Sequence, residues 1–104
     1  MDKQKLLLAL QLSADAYVKK PVFGLTKKEF ESRSTQRWAT QLVIDSISES
    51  DNDPLIVAED IAHKMDKFAC KNRPDSYWYS VGYDTVMWII DLIIEMEERS
   101  KTWQ

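Results

Sequence analysis

The chain contains few of the residues that build turns, crosslinks and metal sites. Its 104 residues include two Gly, three Pro, one Cys and one His. So few Gly and Pro residues disfavour a turn-rich all-β fold. A single Cys excludes an internal disulfide and a Cys-rich zinc module, so nothing argues for an oxidising compartment. The composition therefore favours a cytoplasmic protein.

Long hydrophobic runs are also missing. The run from Val86 to Ile94 is interrupted by Asp91, and no stretch approaches the roughly 20 apolar residues that a membrane span needs. The N-terminal sequence MDKQKLLLALQL is only superficially like a secretory signal, because Gln11 interrupts its apolar run and the small-residue cleavage pattern is weak. We therefore expect no membrane partner.

What the chain does contain is typical of one soluble globular domain. Hydrophobic residues make up 44% and charged residues 30%, with four Trp, four Tyr and three Phe to fill a core. A length of 104 residues suits a single helical domain, residues 1–104. The net charge of −3 disfavours a nucleic-acid partner, although the distribution of charge matters more than its sum.

The segment from Asp75 to Trp103 is the most informative part of the chain. On a helix with about 100° per residue, its only continuous polar strip is formed by Ser80, Asp84, Asp91, Glu95 and Glu98. Apolar residues cover the remaining arc of roughly 250°, whereas a surface helix usually buries a stripe of about 100° or somewhat more. These apolar residues are Trp78, Val81, Tyr83, Val86, Met87, Trp88, Ile89, Ile90, Leu92, Ile93, Ile94 and Met96. We therefore expect several other helices, or a second copy of the chain, to surround this helix.

Periodicity elsewhere predicts three further helices. The four helices are expected at about residues 3–20, 27–49, 54–71 and 76–100. Thr26 and Glu29 have the spacing of a capping box, and Asp53 followed by Pro54 is typical of a helix start. Short connections favour antiparallel neighbours. The predicted fold class is therefore all-α, a compact four-helix bundle-like single domain.

The apolar periodicity also predicts which side chains face the core. In the first helix they are Leu6, Leu7, Ala9, Leu10, Ala14, Tyr17 and Val18, with Leu8 and Leu12 on the other side. In the second helix they are Trp38, Ala39, Leu42, Val43 and Ile47, with Phe30 and Ile44 outside the stripe. In the third helix they are Val57, Ala58, Ile61, Ala62, Met65, Phe68 and Ala69.

No catalytic or cofactor signature is present, and the candidate metal site is weak. Glu59, His63, Asp66 and Cys70 lie on one line of the third helix, and all four residue types can bind metal. This line is opposite the apolar stripe, so we expect a solvated helix face. Cys70 and His63 are two turns apart, too far for a nucleophile and its base. We therefore predict a non-enzymatic protein that binds no metal and no cofactor.

An acidic cluster is one candidate for partner binding. Asp45, Glu49 and Asp51 lie where the second helix ends and the third begins. Carboxylates near a helix C-terminus oppose the helix dipole. A basic partner surface would explain their presence, and so would an exposed helix end that solvent screens.

An aromatic cluster is a second candidate for partner or ligand binding. Tyr77, Trp78, Tyr79 and Tyr83 surround Gly82, and Gly inside a helix costs roughly 1 kcal/mol relative to Ala. Its presence indicates close approach by a neighbouring helix or by a ligand. The cluster is therefore interpreted as core, as a subunit interface, or as a pocket for a planar or anionic ligand.

A DNA-binding surface on the second helix is an alternative. Arg33 and Arg37 are one turn apart, and hydroxyl and amide side chains between them suit base edges or phosphates. Glu29 and Glu31 would meet the same phosphates and repel them. A solvated face of mixed charge is the simpler interpretation.

Taken together, these features favour a small acidic protein that binds another macromolecule as a regulator, inhibitor or accessory factor. A protein partner is expected, and a basic one would suit the acidic cluster. Size and charge alone suggest an origin in a phage or mobile element. The alternatives are a helical oligomer that sequesters a small planar or anionic ligand, and a DNA-binding regulator.

Self-association through the C-terminal helix is the last expectation. The wide apolar arc exceeds what soluble monomers usually expose, and a two-fold dimer is the commonest way to cover it. The predicted interface residues are Leu8, Leu12, Tyr83, Trp88, Ile90 and Ile94.

Overall fold

The protein is a bundle of four helices without strands in the part that the computed structural model describes, residues 2–19, 24–69 and 76–102. The helices are α1 (Lys3–Lys19), α2 (Lys27–Glu49), α3 (Pro54–Ala69) and α4 (Ser76–Thr102). The all-α fold class is therefore confirmed, and so are the predicted helix starts. The predicted ends of the first and third helices, at residues 20 and 71, lie outside the described residues.

Polar side chains cap the starts of α2 and α3. The Thr26 hydroxyl accepts a hydrogen bond from the Glu29 backbone N–H at 3.1 Å, and the Asp53 carboxylate accepts one from the Leu55 N–H at 2.8 Å. Each cap satisfies a backbone donor that has no partner within its helix. Both caps predicted from the sequence are confirmed.

The C-terminus of α2 is neutralised by another helix. Its last turn contains no basic residue, but the Lys3 ammonium of α1 donates to the Ser50 carbonyl at 2.9 Å. A cation at this position stabilises the negative end of the helix dipole. The carboxylates of Asp45 and Glu49 therefore lie at a helix end that has a compensating charge.

Helix α2 occupies the centre of the arrangement. α3 packs most extensively on α4, α1 packs on α2, and α2 also contacts α4 and, less extensively, α3. The contacts of α1 with α3 and α4 are sparse. The described chain thus forms a unit of α2, α3 and α4 to which α1 is attached through α2, rather than a simple square of four helices.

All four helices contribute apolar side chains to one core. Its buried residues are Leu6, Leu10, Ala14, Ala39, Val43, Ile44, Ile47, Ala58, Ile61, Ala62, Met65, Val86, Ile89, Ile90 and Ile93. The α3 stripe predicted from the sequence contributes four of them, Ala58, Ile61, Ala62 and Met65, and its side chains at Val57 and Phe68 are half-buried. The burial of Val18 and Ala69 lies outside what the structure describes.

Two positions on α2 differ from the sequence prediction. Ile44, predicted outside the inner stripe, is buried, whereas Leu42, predicted inside it, is exposed. The physical reason is the position of α1. The Gln11 amide of α1 donates to the Gln41 side-chain oxygen at 3.4 Å, so α1 lies against this flank of α2. The inner face of α2 is therefore rotated towards Ile44 and away from Leu42.

Threonine hydroxyls occur inside the core and are satisfied locally. Thr35 and Thr40 are buried in α2, and Thr85 is buried in α4. Each hydroxyl donates to the carbonyl oxygen four residues earlier in its own helix, at 2.8, 2.8 and 2.9 Å. The three hydroxyls are therefore not subject to the desolvation cost of an unpaired buried group.

Candidate interaction surface on helix α4 and the adjoining cleft

The outward side of α4 is acidic along its centre and apolar along both borders. The strip predicted from the sequence is exposed, and Arg99 pairs with Glu95 at 2.6 Å at its C-terminal end. Exposed apolar side chains border the strip, Tyr77 and Trp88 along one edge and Met87 and Ile94 along the other. We call this surface the α4 face. It consists of Asp84, Asp91, Glu95 and Glu98 together with Tyr77, Met87, Trp88 and Ile94.

The residues predicted for an oligomer interface do not form one surface. Leu8 and Leu12 are 63% and 62% exposed on α1, and Trp88 and Ile94 are 47% and 39% exposed on α4. α1 and α4 scarcely touch, so these pairs belong to two separate surfaces. Tyr83 is half-buried.

The prediction of Ile90 as an interface residue is wrong. Its side chain is only 6% exposed and belongs to the core. Ile90 lines a depression together with Ala62 and Asp66 of α3, so it lies on the side of α4 that packs on α3. Ile94, one turn further on, retains its exposure.

The predicted aromatic cluster is divided among several contacts. Trp78 stacks on Trp38 with ring centroids 5.4 Å apart, while Tyr79 stacks on Phe68 at 5.0 Å and meets Trp38 edge-on at 6.3 Å. Tyr77 points elsewhere, with the Lys28 ammonium 5.6 Å from its ring centroid. Consecutive residues of a helix diverge by about 100°, so they enter different surroundings.

Tyr83 lies apart from the other aromatic side chains of the predicted cluster. It shares a shallow depression between α3 and α4 with Glu59 and His63. The rings of Trp38, Phe68 and Tyr79 instead line a groove of about 260 Å³ between α2 and α3, and Lys64 is among its other lining residues. The Lys64 ammonium is 3.0 Å from the Asp60 carboxylate.

The acidic cluster at the end of α2 is exposed. Asp45, Glu49 and Asp51 all face solvent, and the Asp45 carboxylate accepts a hydrogen bond from the Gln41 amide at 3.0 Å. The Lys3 ammonium at this helix end, the hydrogen bond from Gln41 and exposure to solvent together account for the acidic residues. No partner protein is needed to explain their presence. A basic partner at this cluster stays a prediction.

The candidate metal and DNA residues are placed as follows. Glu59, His63 and Asp66 are exposed, whereas Cys70 lies outside the described residues. Among the residues that the structure describes, no three His, Cys, Asp or Glu side chains are grouped to hold a metal ion.

Of the two candidate DNA-binding residues on α2, Arg33 is half-buried and Arg37 is exposed. DNA binding stays a prediction, which an electrophoretic shift at low salt would test.

A cleft between α1, α2 and α4 was not predicted from the sequence. It has two lobes of about 510 and 370 Å³ that share Tyr17, Ser32 and Gln36 as lining residues. The outer lobe adds Lys28 and Arg33, among others. The inner lobe adds Val81, Asp84, Thr85 and Trp88. The inner lobe therefore opens beside the α4 face, with which it shares Asp84 and Trp88.

The polar lining of the cleft has a signal in the sequence. Ser32 and Gln36 occupy α2 positions that continue the inward stripe of Ala39 and Val43 towards the N-terminus. Polar residues at inward positions indicate a cavity or a network rather than a dry core. Burial within this cleft raises the pKa of the Tyr17 phenol above its ordinary value, because the charged form loses solvation.

These features define an all-α single-domain protein with an acidic helix face and an adjoining polar cleft. Comparison of the chain with protein-family models, with curated proteins and with solved structures gives no match. Of the four helices described, none has the length and apolar character needed to cross a membrane.

Proposed function

We propose that this protein is a non-enzymatic interaction protein that binds a basic segment of a partner protein through the α4 face. The observation that carries the proposal is the composition of that face, an exposed acidic strip with exposed apolar side chains on both borders. Apolar borders around a charged centre suit a partner segment that is both basic and amphipathic.

The spacing of the carboxylates supports an extended contact. Asp84 and Asp91 are seven residues apart, which is roughly 10 Å along a helix. Complementary charge accelerates association and fixes the register of a partner. Burial of Trp88 and Ile94 against the partner would supply the affinity that solvent-exposed ion pairs lack, because such pairs contribute at most about 1 kcal/mol each.

The inner lobe of the cleft fits a lysine side chain of the partner. Among the described residues that line this lobe, Asp84 alone is charged, and the aromatic rings of Tyr17 and Trp88 attract cations. Gln36 and Ser32 offer neutral oxygen acceptors. Lys28, Glu29 and Arg33 line the outer lobe, which therefore has charges of both signs and is less suited to a second cation. The basic segment would therefore extend from the inner lobe along α4 towards Asp91.

The broader role follows from the same proposal. A protein that acts by occupying a partner's basic segment is a regulator, inhibitor or accessory factor. A cytoplasmic location accords with the low cysteine content. An origin in a phage or mobile element is suggested by size and charge alone. Self-association is part of the proposal as well, and Leu8 and Leu12 support it.

Affinity capture from the native host tests the proposed face. The wild type should retain a protein with a basic segment, and the charge-reversed variant Asp84→Lys/Asp91→Lys should lose it. Glu49→Lys/Asp51→Lys makes the same change in net charge at the other acidic cluster and should retain the partner. If the second variant loses the partner and the first retains it, the binding site is at the end of α2. Loss from both variants would mean that net charge, not the α4 face, determines binding.

A defined probe tests the lysine site. N-acetyl-lysine-methylamide should shift the Trp88 indole N–H resonance with an affinity on the order of millimolar, and Asp84→Asn should weaken this effect. Asp91→Asn, on the same strip outside the lobe, is the matched control. An equal shift with the uncharged norleucine analogue would show an apolar contact without charge recognition.

A small ligand in the α2–α3 groove is a second candidate. The observation that favours it is the aromatic lining of a groove of about 260 Å³, close to the lower size limit of about 300 Å³ for small-molecule sites. Titration with an aromatic carboxylate should quench tryptophan fluorescence in the wild type but not in Phe68→Ala. Unchanged fluorescence in the wild type would exclude this candidate for that class of ligand.

A further inference from the structure

The outer side of α1 carries an apolar pair that the rest of the described chain does not cover. Leu8 and Leu12, one helical turn apart, are 63% and 62% exposed, while Leu6 and Leu10 of the same helix are fully buried. Two neighbouring leucines on the side of the helix opposite its core contact form a ridge of the kind that packs against another helix. The question is which helix covers it.

The charges around this ridge are complementary to a second copy of the same helix. Lys5 is exposed on one side of the ridge, and the half-buried Asp15 lies on the other. The Asp15 carboxylate accepts one hydrogen bond from the Gln11 amide at 3.1 Å, and a carboxylate has further lone pairs to accept others. The ridge thus has a cation towards its N-terminal end and an anion towards its C-terminal end.

We propose that two copies of this chain associate through antiparallel packing of their α1 ridges. The two-fold axis lies between the two helices, level with Leu10 along the length of α1. In that arrangement Leu8 of one copy faces Leu12 of the other, and Lys5 faces Asp15, since a two-fold axis relates residues equally far before and after its centre. Each copy therefore forms both contacts twice. This inference deepens the self-association included in the proposed function and names the surface and its register.

The α4 face is a poorer surface for the same purpose. Two copies that paired through it would bring their acidic strips together, and like charges across an interface are unfavourable. Beside the α1 ridge, the described charged residues are Lys5 and Asp15, and their opposite charges attract across such a pair. The two surfaces therefore have different roles: α1 binds the second copy, and the α4 face binds the basic partner.

Sedimentation velocity over a range of concentrations tests the pairing. The wild type should show a monomer–dimer equilibrium, and Leu8→Gln/Leu12→Gln should be monomeric with an unchanged circular dichroism spectrum. Ile94→Gln on α4 is the matched control and should dimerise as the wild type does. A monomeric wild type at the highest concentration reached would overturn the proposal, as would dimerisation that Ile94→Gln abolishes and the α1 variant does not.

A charge exchange tests the antiparallel register. Lys5→Asp and Asp15→Lys should each weaken dimerisation several-fold, because each places like charges opposite one another. The double variant Lys5→Asp/Asp15→Lys has the original charges exchanged and should recover the wild-type dissociation constant. A double variant as weak as the single ones would show that this register is wrong.

The outcome is separable from that of the proposed function. The monomeric variant Leu8→Gln/Leu12→Gln keeps the α4 face intact, so it should still capture the basic partner. Failure of the wild type to dimerise, with capture of the basic partner retained, would refute the α1 pairing alone. Failure of capture with retained dimerisation would refute the role of the α4 face alone.

Discussion

Gly82 shows how a single residue permits the helices to approach. A Cβ atom at this position would lie 3.0 Å from the Met65 sulfur and 3.4 Å from Cζ3 of Trp38. Met65 is itself buried in the core, which limits its freedom to move aside. The close approach of a neighbouring helix, one of the two explanations expected from the sequence, is therefore the one present in the structure.

Replacement of Gly82 by a large side chain should prevent the native packing of α3 on α4. Gly82→Leu would overlap Met65, and overpacking of a tight core typically costs about 1–3 kcal/mol or more. Ser80→Leu, at an exposed position in the same helix, is the control and should change stability little. Thermal denaturation followed by circular dichroism gives both values. Equal melting temperatures for the two variants would show that the contact at Gly82 is not tight.

Tyr17 should make stability depend on pH in alkaline solution. Burial raises the pKa of its phenol in the folded chain, so the unfolded chain loses this proton at lower pH than the folded chain does. The stability that results is fully present below the ordinary pKa of tyrosine and declines as pH rises through the raised value. Tyr17→Phe should reduce this decline in a denaturant titration repeated at several alkaline pH values. An identical decline in both proteins would contradict the prediction.

At the scale of the helix, Ile90 and Ile94 distinguish the two sides of α4. Ile90→Glu places a carboxylate in the core and should unfold the chain, because an unpaired buried charge costs several kcal/mol. Ile94→Glu adds a charge at the half-exposed border of the α4 face and should leave the fold intact. The far-ultraviolet circular dichroism spectra of the two variants compare them directly. A folded Ile90→Glu variant would contradict the burial of this residue in the core.

The two sides of α3 are distinguished in the same way. Ile61→Asp puts a carboxylate into the buried stripe of α3 and should abolish folding. The control, His63→Ala, lies on the exposed side of the helix and should change the free energy of unfolding by no more than about 0.5 kcal/mol. Urea denaturation measures both effects. Similar values for the two substitutions would mean that the buried face of α3 is misassigned.

At the scale of the whole molecule, stability should depend on the apolar core and not on a metal ion. The core draws residues from all four helices, whereas the acidic and histidine side chains on the outer side of α3 face solvent. Addition of EDTA should therefore leave the melting temperature unchanged. A stoichiometric metal ion found by elemental analysis of the purified protein would contradict this prediction and would support an enzymatic role.

Much of the fold follows from the sequence, because its local features act within one or two helical turns. The caps at Thr26 and Asp53, the buried stripe of α3 and the exposed acidic strip of α4 were all predictable from spacings of three and four residues. Such spacings fix which residues share one side of a helix. The set of residues on one side of a helix is the same for any arrangement of the neighbouring helices.

Only the tertiary structure decided which helix covers which side. Ile44 and Ile90 are buried because α1 and α3 cover those flanks, and no periodicity within α2 or α4 contains that information. The cleft around Tyr17 likewise requires residues of three helices to meet. The sequence by itself therefore determined the helices and their amphipathic faces. The rotation of each helix about its axis, and with it the separation of the α1 ridge from the α4 face, was decided by packing between residues far apart in the chain.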